Sequence, residues 1–386
     1  MDVRLTLPVK LVPTPEQHAA LLATVERFNV ACDWLGGIVF AERCANKVAL
    51  QKLAYYDVRS RFGLAAQLSI RAISKTVEAY KRDKTIRPRF RPHGAVPYDE
   101  RIMSWKGVEH VSLLTLEGRV LIPTVLAPYQ VARLDRRRGQ ADLVYRDGTF
   151  YLYVTVEADE PPPTDVPDYL GVDLGIVNLA VDSDGTSYSG EAVEQKRRVY
   201  THRRHNLQRK QTRAARRKLR ALRRRQSRYQ RDINHIISKR VVASAKDTRR
   251  GIALEDLRGI RSRTEPTVRR RQRARHSNWA FAQLRSCIEY KAKLAGLPVV
   301  LVDARNTSRT CLACGHVDKA NRPTQACFRC VACGFAGLAD HCAARVIAAR
   351  ARAEVMQPNV GGLPTAGKVV AVVSMGRSRE RQAPEL

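Results

Sequence analysis

Two pairs of cysteines constrain the folding of this chain more strongly than any other feature of its sequence. Two residues separate the cysteines within each pair, and 15 residues lie between the pairs. The four residues are Cys311, Cys314, Cys330 and Cys333. Gly315 and Gly334 directly follow the pairs, where the turn of a metal-binding knuckle favours positive φ. The spacing predicts a zinc ribbon, whose structural Zn²⁺ has four protein thiolates as ligands and no position open for catalysis.

Two other residues are alternative ligands for the same ion. Cys327 stands three residues before Cys330, so these two could form the second pair. We favour Cys330 with Cys333, because only that pair is followed by glycine; His316 is a weaker alternative ligand. The remaining cysteines are predicted to be ordinary buried thiols, and they are Cys32, Cys44, Cys287 and Cys342.

The chain is strongly basic, which indicates the class of its partner. Its 69 Lys and Arg against 37 Asp and Glu give 386 residues a formal net charge of +32. Charge of this size and sign attracts polyphosphate, so nucleic acid is the expected partner. No membrane contact is expected, because no apolar run approaches the roughly 18 residues that span a bilayer. The opening MDVRLTLPVK lacks a secretory signal, and we expect a cytoplasmic, nucleoid-associated protein.

Much of the positive charge lies in one stretch. Residues 196–231 hold 17 Lys or Arg and no acid, and neither Pro nor Gly occurs between Gly190 and Gly251. The stretch predicts one long basic helix over residues 191–250. A merely solvated helix usually interleaves Glu with its basic residues, so binding along a phosphate backbone is favoured. The candidate nucleic-acid-binding residues here are Arg203, Arg204, Arg209, Lys210, Arg213, Arg216, Arg217, Arg220, Arg223 and Arg224.

Three residues elsewhere are further candidates for contact with nucleic acid. Arg309 stands two residues before the first cysteine pair and is predicted to contact a strand of the nucleic acid. The rings of Trp279 and Phe281 can stack on bases. Aromatic residues near the start of an amphipathic helix more often belong to a hydrophobic core, and that is the interpretation we favour for both.

The first 160 residues combine strand and helix patterns. Apolar and polar residues alternate from Val3 to Leu11, which predicts a strand, and residues 16–82 have the apolar spacing of several amphipathic helices. Residues 111–157 alternate again around the turns Glu117-Gly118 and Asp147-Gly148, which predicts two hairpins. The order indicates a β-barrel interrupted by a helical subdomain.

Three acids in apolar surroundings are candidates for catalysis. Asp173 lies within the strand-like GVDLG, Glu255 near the end of IALEDL, and Asp340 just before the helix-like CAARVIAAR. Carboxylates brought close together repel one another, which favours their occupation by Mg²⁺ or Mn²⁺. Two such ions can catalyse phosphodiester hydrolysis. The order of the acids follows the RNase H architecture; the neighbouring acids Asp182, Asp184 and Asp256 are interpreted as turn or strand-end residues.

Several segments resemble one family, TnpB, the transposon-associated nucleases related to type V CRISPR effectors. They are GVDLGIVNLAVDSDG, IALEDL, NWAFAQLRSCIEYKAKLAG, TSRTCLACGH and FRCVACGFAGLADHCAARVI, and the resemblance is specific from about Tyr169 to Ile347. It implies that Asp173, Glu255 and Asp340 form a RuvC-type catalytic triad. It also implies an RNA-guided DNA endonuclease, which binds a guide RNA from its own locus and cleaves double-stranded target DNA beside a short adjacent motif.

We therefore expect an α+β multidomain protein, in which a β-barrel-like wedge with a helical recognition insertion precedes a RuvC/RNase H-like α/β nuclease domain with an inserted zinc ribbon. The expected bounds are 1–15 and 95–160 for the wedge, 16–94 for the recognition domain, 168–306 and 338–350 for the nuclease domain, 307–337 for the ribbon and 351–386 for a flexible tail.

The chain departs from the TnpB pattern around its last acid. Leu338, Cys342 and Val346 stand where the family usually has polar Asp or Asn, which could weaken metal binding or strand handling. Two alternative functions therefore stay open. One is an RNA-guided DNA-binding protein, or a type V-like effector, with little or no cleavage. The other is an unguided structure-specific nuclease or transposase.

Overall fold

A computed structural model describes residues 3–222, 225–258 and 281–356 of the chain. The chain divides into two compact units, Met1–Asp159 and Glu160–Leu386. Trp279, Arg223, Arg224 and the expected tail beyond Met356 lie outside the described residues. Among the described residues, no helix is both long and apolar enough to cross a membrane.

The first unit begins with the predicted strand and helices. They are β1 (Val3–Leu11), α1 (Pro15–Ala41), α2 (Lys47–Phe62) and α3 (Ala66–Arg82). The side chains of Thr14 and Gln17 form a capping box that begins α1, and the side chain of Asn46 caps the first turn of α2. The apolar faces of all three helices share one core with the strands of this unit. The predictions of a first strand and of several amphipathic helices are confirmed.

A seven-stranded sheet completes the first unit. Its other strands are β2 (Val96–Tyr98), β3 (Met103–Lys106), β4 (His110–Thr115), β5 (Gly118–Val125), β6 (Arg137–Arg146) and β7 (Thr149–Ala158), and the order is β2-β6-β7-β1-β5-β4-β3. The edge strands β2 and β3 are joined by only four residues, and the Tyr98 hydroxyl donates to the Leu114 carbonyl oxygen on β4 (2.8 Å). The two edges therefore approach each other, and the sheet is nearly closed.

Both predicted hairpins are present in this sheet. β4 pairs with β5 across Glu117-Gly118, and β6 pairs with β7 across Asp147-Gly148. Gly118 and Gly148 have φ of 113° and 82°, values that favour glycine. A short helix between the hairpins, α4 (Pro128–Leu134), was not predicted from the sequence.

The second unit contains a mixed five-stranded sheet. Its strands are β8 (Tyr169–Asp173), β9 (Asn178–Asp182), β10 (Ser187–Ser189), β11 (Gly251–Glu255) and β12 (Val299–Val302), in the order β10-β9-β8-β11-β12. β8, β11 and β12 run parallel, whereas β9 is antiparallel to both of its neighbours. Because parallel strands end at the same edge, residues at the carboxyl ends of β8 and β11 lie side by side.

Among the described residues, the basic stretch forms three helical segments, with a break in the chain's helix at Gln211 and Thr212. They are α5 (Glu191–Lys210), α6 (Arg213–Leu222) and α7 (Arg225–Asp247). Gln211 adopts a left-handed conformation with φ of 50°, which ends α5, and the Thr212 hydroxyl accepts from the Ala215 N–H at the start of α6. Arg204 on α5 donates to the Gln226 side chain on α7, so the chain turns back on itself. The prediction of a continuous helix over 191–250 is therefore wrong. No glycine or proline marks the break, so the sequence did not reveal it.

Helices cover both faces of the five-stranded sheet. α7 and α8 (Phe281–Leu294) share a core with one face, through residues such as Val241 and Ile288 against Leu170. α9 (Ala339–Met356) packs on the other face, where Ile347 joins Tyr169. The short strands β13 (Cys327–Arg329) and β14 (Ala336–Leu338) lead into α9.

The contact between α9 and β8 is unusually close at Gly171. A Cβ atom there would overlap the backbone oxygen of Ala344 and lie 2.6 Å from the backbone nitrogen of Ala348. The facing residues of α9 are small and buried, since Ala344 and Ala348 are at most 1% exposed. Only glycine lets the helix backbone lie this near the strand.

Substituting Gly171 with alanine is expected to push α9 away from the sheet. Overpacking of this kind costs roughly 1–3 kcal/mol, so the unfolding transition of the second unit should move to lower temperature in calorimetry. Gly37→Ala, in α1 of the first unit, is the control. The nearest atom to its added Cβ would be in the Arg87 guanidinium, at 3.5 Å, which is an ordinary van der Waals distance. An unchanged second-unit transition in Gly171→Ala would contradict this account of the contact.

Candidate metal centres

The three candidate acids converge on one cavity in the second unit. β8 and β11 pair in parallel with Val172 opposite Leu254, which brings the next residues, Asp173 and Glu255, together at one sheet edge. Asp340 lies in the first turn of α9 and completes the group. All three acids line a cavity of about 250 Å³. The structure therefore places the predicted residues together, while their catalytic role stays a prediction.

The electrostatics of Asp173 reflect this convergence. Burial of the carboxyl and the nearby carboxylates of Glu255 and Asp340 raise the pKa of Asp173 to about 8, although the Arg322 guanidinium and the Leu174 N–H act against the rise. The carboxylates of Glu255 and Asp340 disfavour ionisation of Asp173, because negative charges repel in a poorly solvated site. Without a cation in the cavity, Asp173 is therefore protonated over much of the neutral range.

Glu255 is held from one side by a hydroxyl. Its side chain is 7% exposed, and the buried Thr307 hydroxyl donates to its Oε1 atom. Burial raises the pKa of Glu255, while the Thr307 hydrogen bond and the positive charge of Arg350 oppose the rise. One oxygen of this carboxylate is thus fixed in place next to the cavity.

Asp340 is oriented by two side chains that the sequence did not single out. The Asn178 amide donates to Oδ2 (3.0 Å), and the Arg322 guanidinium donates to Oδ1 (2.8 Å). Asn178 is a polar residue at the start of an apolar strand, a signal that could have found it. Arg322 lies in the loop between the cysteine pairs, where one more arginine in a basic chain gives no such signal.

The four predicted cysteines form the second centre. Their sulphur atoms all lie within 4.8 Å of one another. Two pairs of sulphurs, Cys311 with Cys333 and Cys314 with Cys330, are 3.6 Å apart. Cys327 is exposed on β13 and is not a member of the sulphur cluster, so the structure brings Cys330 and Cys333, the favoured pair, together with the first two cysteines.

The two knuckles of this centre have matching backbone geometry. Gly315 and Gly334 have φ of 72° and 75°, as the sequence predicted. Gly315 donates to the Cys311 carbonyl and Gly334 to the Cys330 carbonyl, each at 3.0 Å. His316 contributes its backbone carbonyl to the first knuckle, and its ring is not part of the sulphur cluster.

The basic candidates on α5 and α6 lie at the surface. The described members are all exposed, and they are Arg203, Arg204, Arg209, Lys210, Arg213, Arg216, Arg217 and Arg220. Arg309 is also exposed, but it is not among the residues that line the acidic cavity. Phe281 is 8% exposed and belongs to the core beneath the sheet, which agrees with the favoured interpretation.

The apolar departures from the TnpB pattern do not face the acids. Cys342 and Val346 are 5% and 4% exposed and are buried on α9, while Leu338 is 69% exposed at the end of β14. Cys342 packs against the buried Cys311 and Phe328 of the cysteine-rich segment. None of the three departures lines the acidic cavity.

The neighbouring acids have the structural roles predicted for them. Asp182 accepts hydrogen bonds from backbone N–H groups within the turn after β9. Asp184 forms an ion pair with Arg250. Asp256, which directly follows β11, forms ion pairs with Arg258 and Arg285. They are turn and strand-end residues rather than members of the acidic centre.

The raised pKa of Asp173 predicts how stability depends on pH in protein free of added divalent ions. The folded pKa of about 8 exceeds the ordinary 3.8, so the folded protein binds the extra proton. This stabilising contribution is complete below about pH 4 and is lost as pH rises through about 8. Urea unfolding of Asp173→Asn should consequently show a weaker fall of stability with pH.

Asp303→Asn is the matched control for this measurement. Asp303 is exposed, and hydrogen bonds from the backbone and side chain of Arg305 hold its pKa below the ordinary value. Its substitution should leave the slope between about pH 5 and pH 8 unchanged. Parallel curves for the wild type and Asp173→Asn would contradict the electrostatic account.

Two family models match segments of the chain between residues 152 and 347. The model of the OrfB protein of IS605, described as a probable transposase, matches residues 152–258. The model of the Cas12f1-like TNB domain matches residues 281–347. The first match contains Asp173 and Glu255, and the second contains Asp340 and all four clustered cysteines.

Named relatives agree with these matches. A CRISPR-associated endodeoxyribonuclease Cas12f1 of Sulfoacidibacillus thermotolerans is 30% identical over 252 residues, which are 60% of this chain and 56% of that protein. A Cas12f2 of a Micrarchaeota archaeon is 31% identical over 198 residues, or 47% of this chain and 36% of the relative. The chain thus spans between about a third and somewhat over half of the length of these relatives.

A TnpB-like protein of Methanocaldococcus jannaschii is 37% identical over 91 residues, which are 24% of this chain and 32% of that protein. A solved Cas12f1–sgRNA–target DNA complex covers 90% of this chain at 16% identity, with a TM-score of 0.39 that is too low to support an argument. The two family models and the named relatives point the same way, and over the matched segments the chain is similar to Cas12f and TnpB-like proteins.

Proposed function

We propose that this chain is an RNA-guided, metal-dependent DNA endonuclease of the TnpB type. It would bind a guide RNA from its own locus and hydrolyse phosphodiester bonds in double-stranded target DNA beside a short adjacent motif, at the nucleoid in the cytoplasm. The observation that carries the proposal is the convergence of Asp173, Glu255 and Asp340 on one open cavity. The names of the relatives, which include endodeoxyribonucleases, support the same activity.

The donor set of the acidic centre fits a hard divalent cation. Its three carboxylates supply oxygen ligands, which Mg²⁺ and Mn²⁺ prefer, and their mutual repulsion is relieved by bound positive charge. Held by Asp173, Glu255 and Asp340, two such ions would supply an activated water for attack on phosphorus and positive charge for the leaving oxygen, as the resemblance to RuvC-type nucleases implies. The order of the acids on a hairpin strand, a parallel strand and a final helix supports an RNase H-like domain.

The side chains around the acids have separable tasks in this scheme. Asp173 must lose its proton before it can bind a cation, and because its pKa is raised to about 8, this loss is favoured by mildly alkaline solution. Thr307 and Asn178 keep the carboxylates of Glu255 and Asp340 in fixed orientations. Arg322, on the cavity wall, carries a positive charge that attracts a phosphodiester into the site.

The domain bounds expected from the resemblance are part of the proposal. The nearly closed sheet of the first unit would be the wedge (1–15 and 95–160) and its helices the recognition domain (16–94). The five-stranded sheet and α9 would form the nuclease domain (168–306 and 338–350), with the ribbon at 307–337 and a tail at 351–386. The exposed arginines of α5 and α6 would contact the phosphate backbone of the nucleic acid.

Cleavage of DNA is the direct test. The protein is purified with RNA expressed from its own locus and offered target DNA carrying a randomised adjacent motif, with Mg²⁺. Asp173→Ala, Glu255→Gln and Asp340→Ala should each slow cleavage about a thousandfold or more, since loss of a ligand removes several kcal/mol of transition-state stabilisation. Asp303→Asn, an exposed acid outside the cavity, should cleave as the wild type does.

Two outcomes would replace the proposal with an alternative. Guided target binding without Mg²⁺-dependent cutting, unchanged by Asp173→Ala, would indicate an RNA-guided binding protein. Cleavage that survives complete removal of RNA would indicate an unguided nuclease or transposase.

The sulphur cluster fits a structural Zn²⁺, because four thiolates this close can surround one tetrahedral ion. Elemental analysis should find about one zinc per wild-type chain, and Cys311→Ser should lose it. Cys327→Ser provides a matched control, since its thiol lies outside the cluster, and should retain the ion. Equal zinc loss in both variants would be inconsistent with this ligand set.

A further inference from the structure

A buried asparagine joins the two knuckles of the cysteine cluster. Asn321 ends a short 3-10 helix (Lys319–Asn321) in the loop between the cysteine pairs and is 0% exposed. Its Nδ2 atom donates to the carbonyls of Arg309 (2.9 Å) and His316 (3.1 Å), and its Oδ1 accepts from the Val331 N–H (2.9 Å). The first two partners flank the first cysteine pair, and the third lies within the second pair.

The chemistry of these bonds calls for an amide. Two carbonyl oxygens require a group that donates twice, and one backbone N–H requires an acceptor, which a single side-chain amide provides together. Leaving any of these buried partners unsatisfied would cost free energy. Asn321 thus ties the loop to both halves of the ribbon at one point.

The next residue carries this anchoring to the acidic centre. The Arg322 N–H donates to the Lys319 carbonyl (3.3 Å), and Pro323 follows, which restricts the backbone of Arg322 further. The Arg322 side chain donates to Asp340 Oδ1 (2.8 Å) and to the Gln325 carbonyl (2.6 Å). The guanidinium that contacts the last acid therefore begins one residue from the amide that joins the knuckles.

An arginine head needs such an anchor to stay in one place. The side chain has several rotatable bonds and about 2 kcal/mol of rotamer entropy, so its position depends on a fixed backbone. The cysteine cluster holds the two knuckles together. Asn321 then fastens the 15-residue segment between the cysteine pairs to both knuckles.

We propose that Asn321 is a positioning residue that couples the four-cysteine cluster to the acidic centre, by holding Arg322 against Asp340. Its part in catalysis rests on the proposed nuclease function. On this account the ribbon has a task beyond its own folding, because it delivers one positive charge to the cavity wall at a defined place.

The first test needs no catalysis. Asn321→Ala should retain zinc, while hydrogen exchange in the segment 318–332 increases and labelling of Arg322 by phenylglyoxal, followed by peptide mass spectrometry, rises several-fold. Lys319→Ala, an exposed change in the same 3-10 helix, should alter neither readout. Unchanged exchange and labelling in Asn321→Ala would overturn the proposal, whether or not the wild type cleaves DNA.

The second test asks whether Asn321 acts through Arg322. In the cleavage assay, Asn321→Ala should slow the reaction roughly 10- to 100-fold, as small misplacements of active-site groups do. In an Arg322→Ala background the same change should have less than about a twofold effect, because the group it positions is already gone. Undiminished loss in that background would show a purely structural role and overturn the proposal.

A second variant guards against misfolding. Asn321→Asp keeps the shape and the acceptor for Val331 but loses both donated bonds, and it should repeat the results of Asn321→Ala with zinc retained. Zinc loss in both variants would overturn the proposal, since Asn321 would then serve the folding of the ribbon itself. Absence of cleavage by the wild type would instead count against the nuclease function and leave the labelling result decisive for Asn321.

Discussion

The arrangement of the second unit depends on the close approach of α9 to β8 at Gly171. A helix can lie this near a strand only where neither surface carries bulk, and the alanines of α9 meet a residue without a side chain. The distance between helix and sheet in turn decides how far Asp340 lies from Asp173 and Glu255. An interaction that is purely steric thus determines an electrostatic one.

Carboxylates in such proximity oppose the fold that holds them together. The structure limits the repulsion by local means, with a hydroxyl on Glu255 and an amide and a guanidinium on Asp340. The repulsion that remains contributes to the raised pKa of Asp173, because a proton on this carboxyl removes one of the negative charges. A bound cation would relieve this repulsion. The surrounding hydrogen bonds hold the carboxylates of Glu255 and Asp340 in their orientations.

The sequence predicted the elements whose signals are local. Cysteine spacing, strand alternation and glycine after each cysteine pair need only neighbouring residues, and all of them agree with the structure. The three acids could be named because each stands in an apolar segment, but their convergence depends on strand order and on the resemblance. Thr307 and Asn321 could not be assigned, since their partners lie 52 and up to 12 residues away. Asn178 stands out as a polar residue in an apolar strand, but its partner Asp340, 162 residues away, could not be named from the sequence. The break at Gln211 was missed because a residue with good helix propensity adopts the left-handed conformation there.

That break changes what the basic stretch can recognise. A continuous helix over residues 191–250 would be roughly 90 Å long at 1.5 Å per residue, and its charges would follow one line. Because the chain turns back after α5, the helices of this stretch are at most 23 residues, or about 35 Å, long, and their arginines form a patch. A linear array matches a single groove of a straight duplex, whereas a patch matches phosphates gathered from several backbone segments. If this surface binds nucleic acid as proposed, the turn at Gln211 favours a folded partner over an extended one.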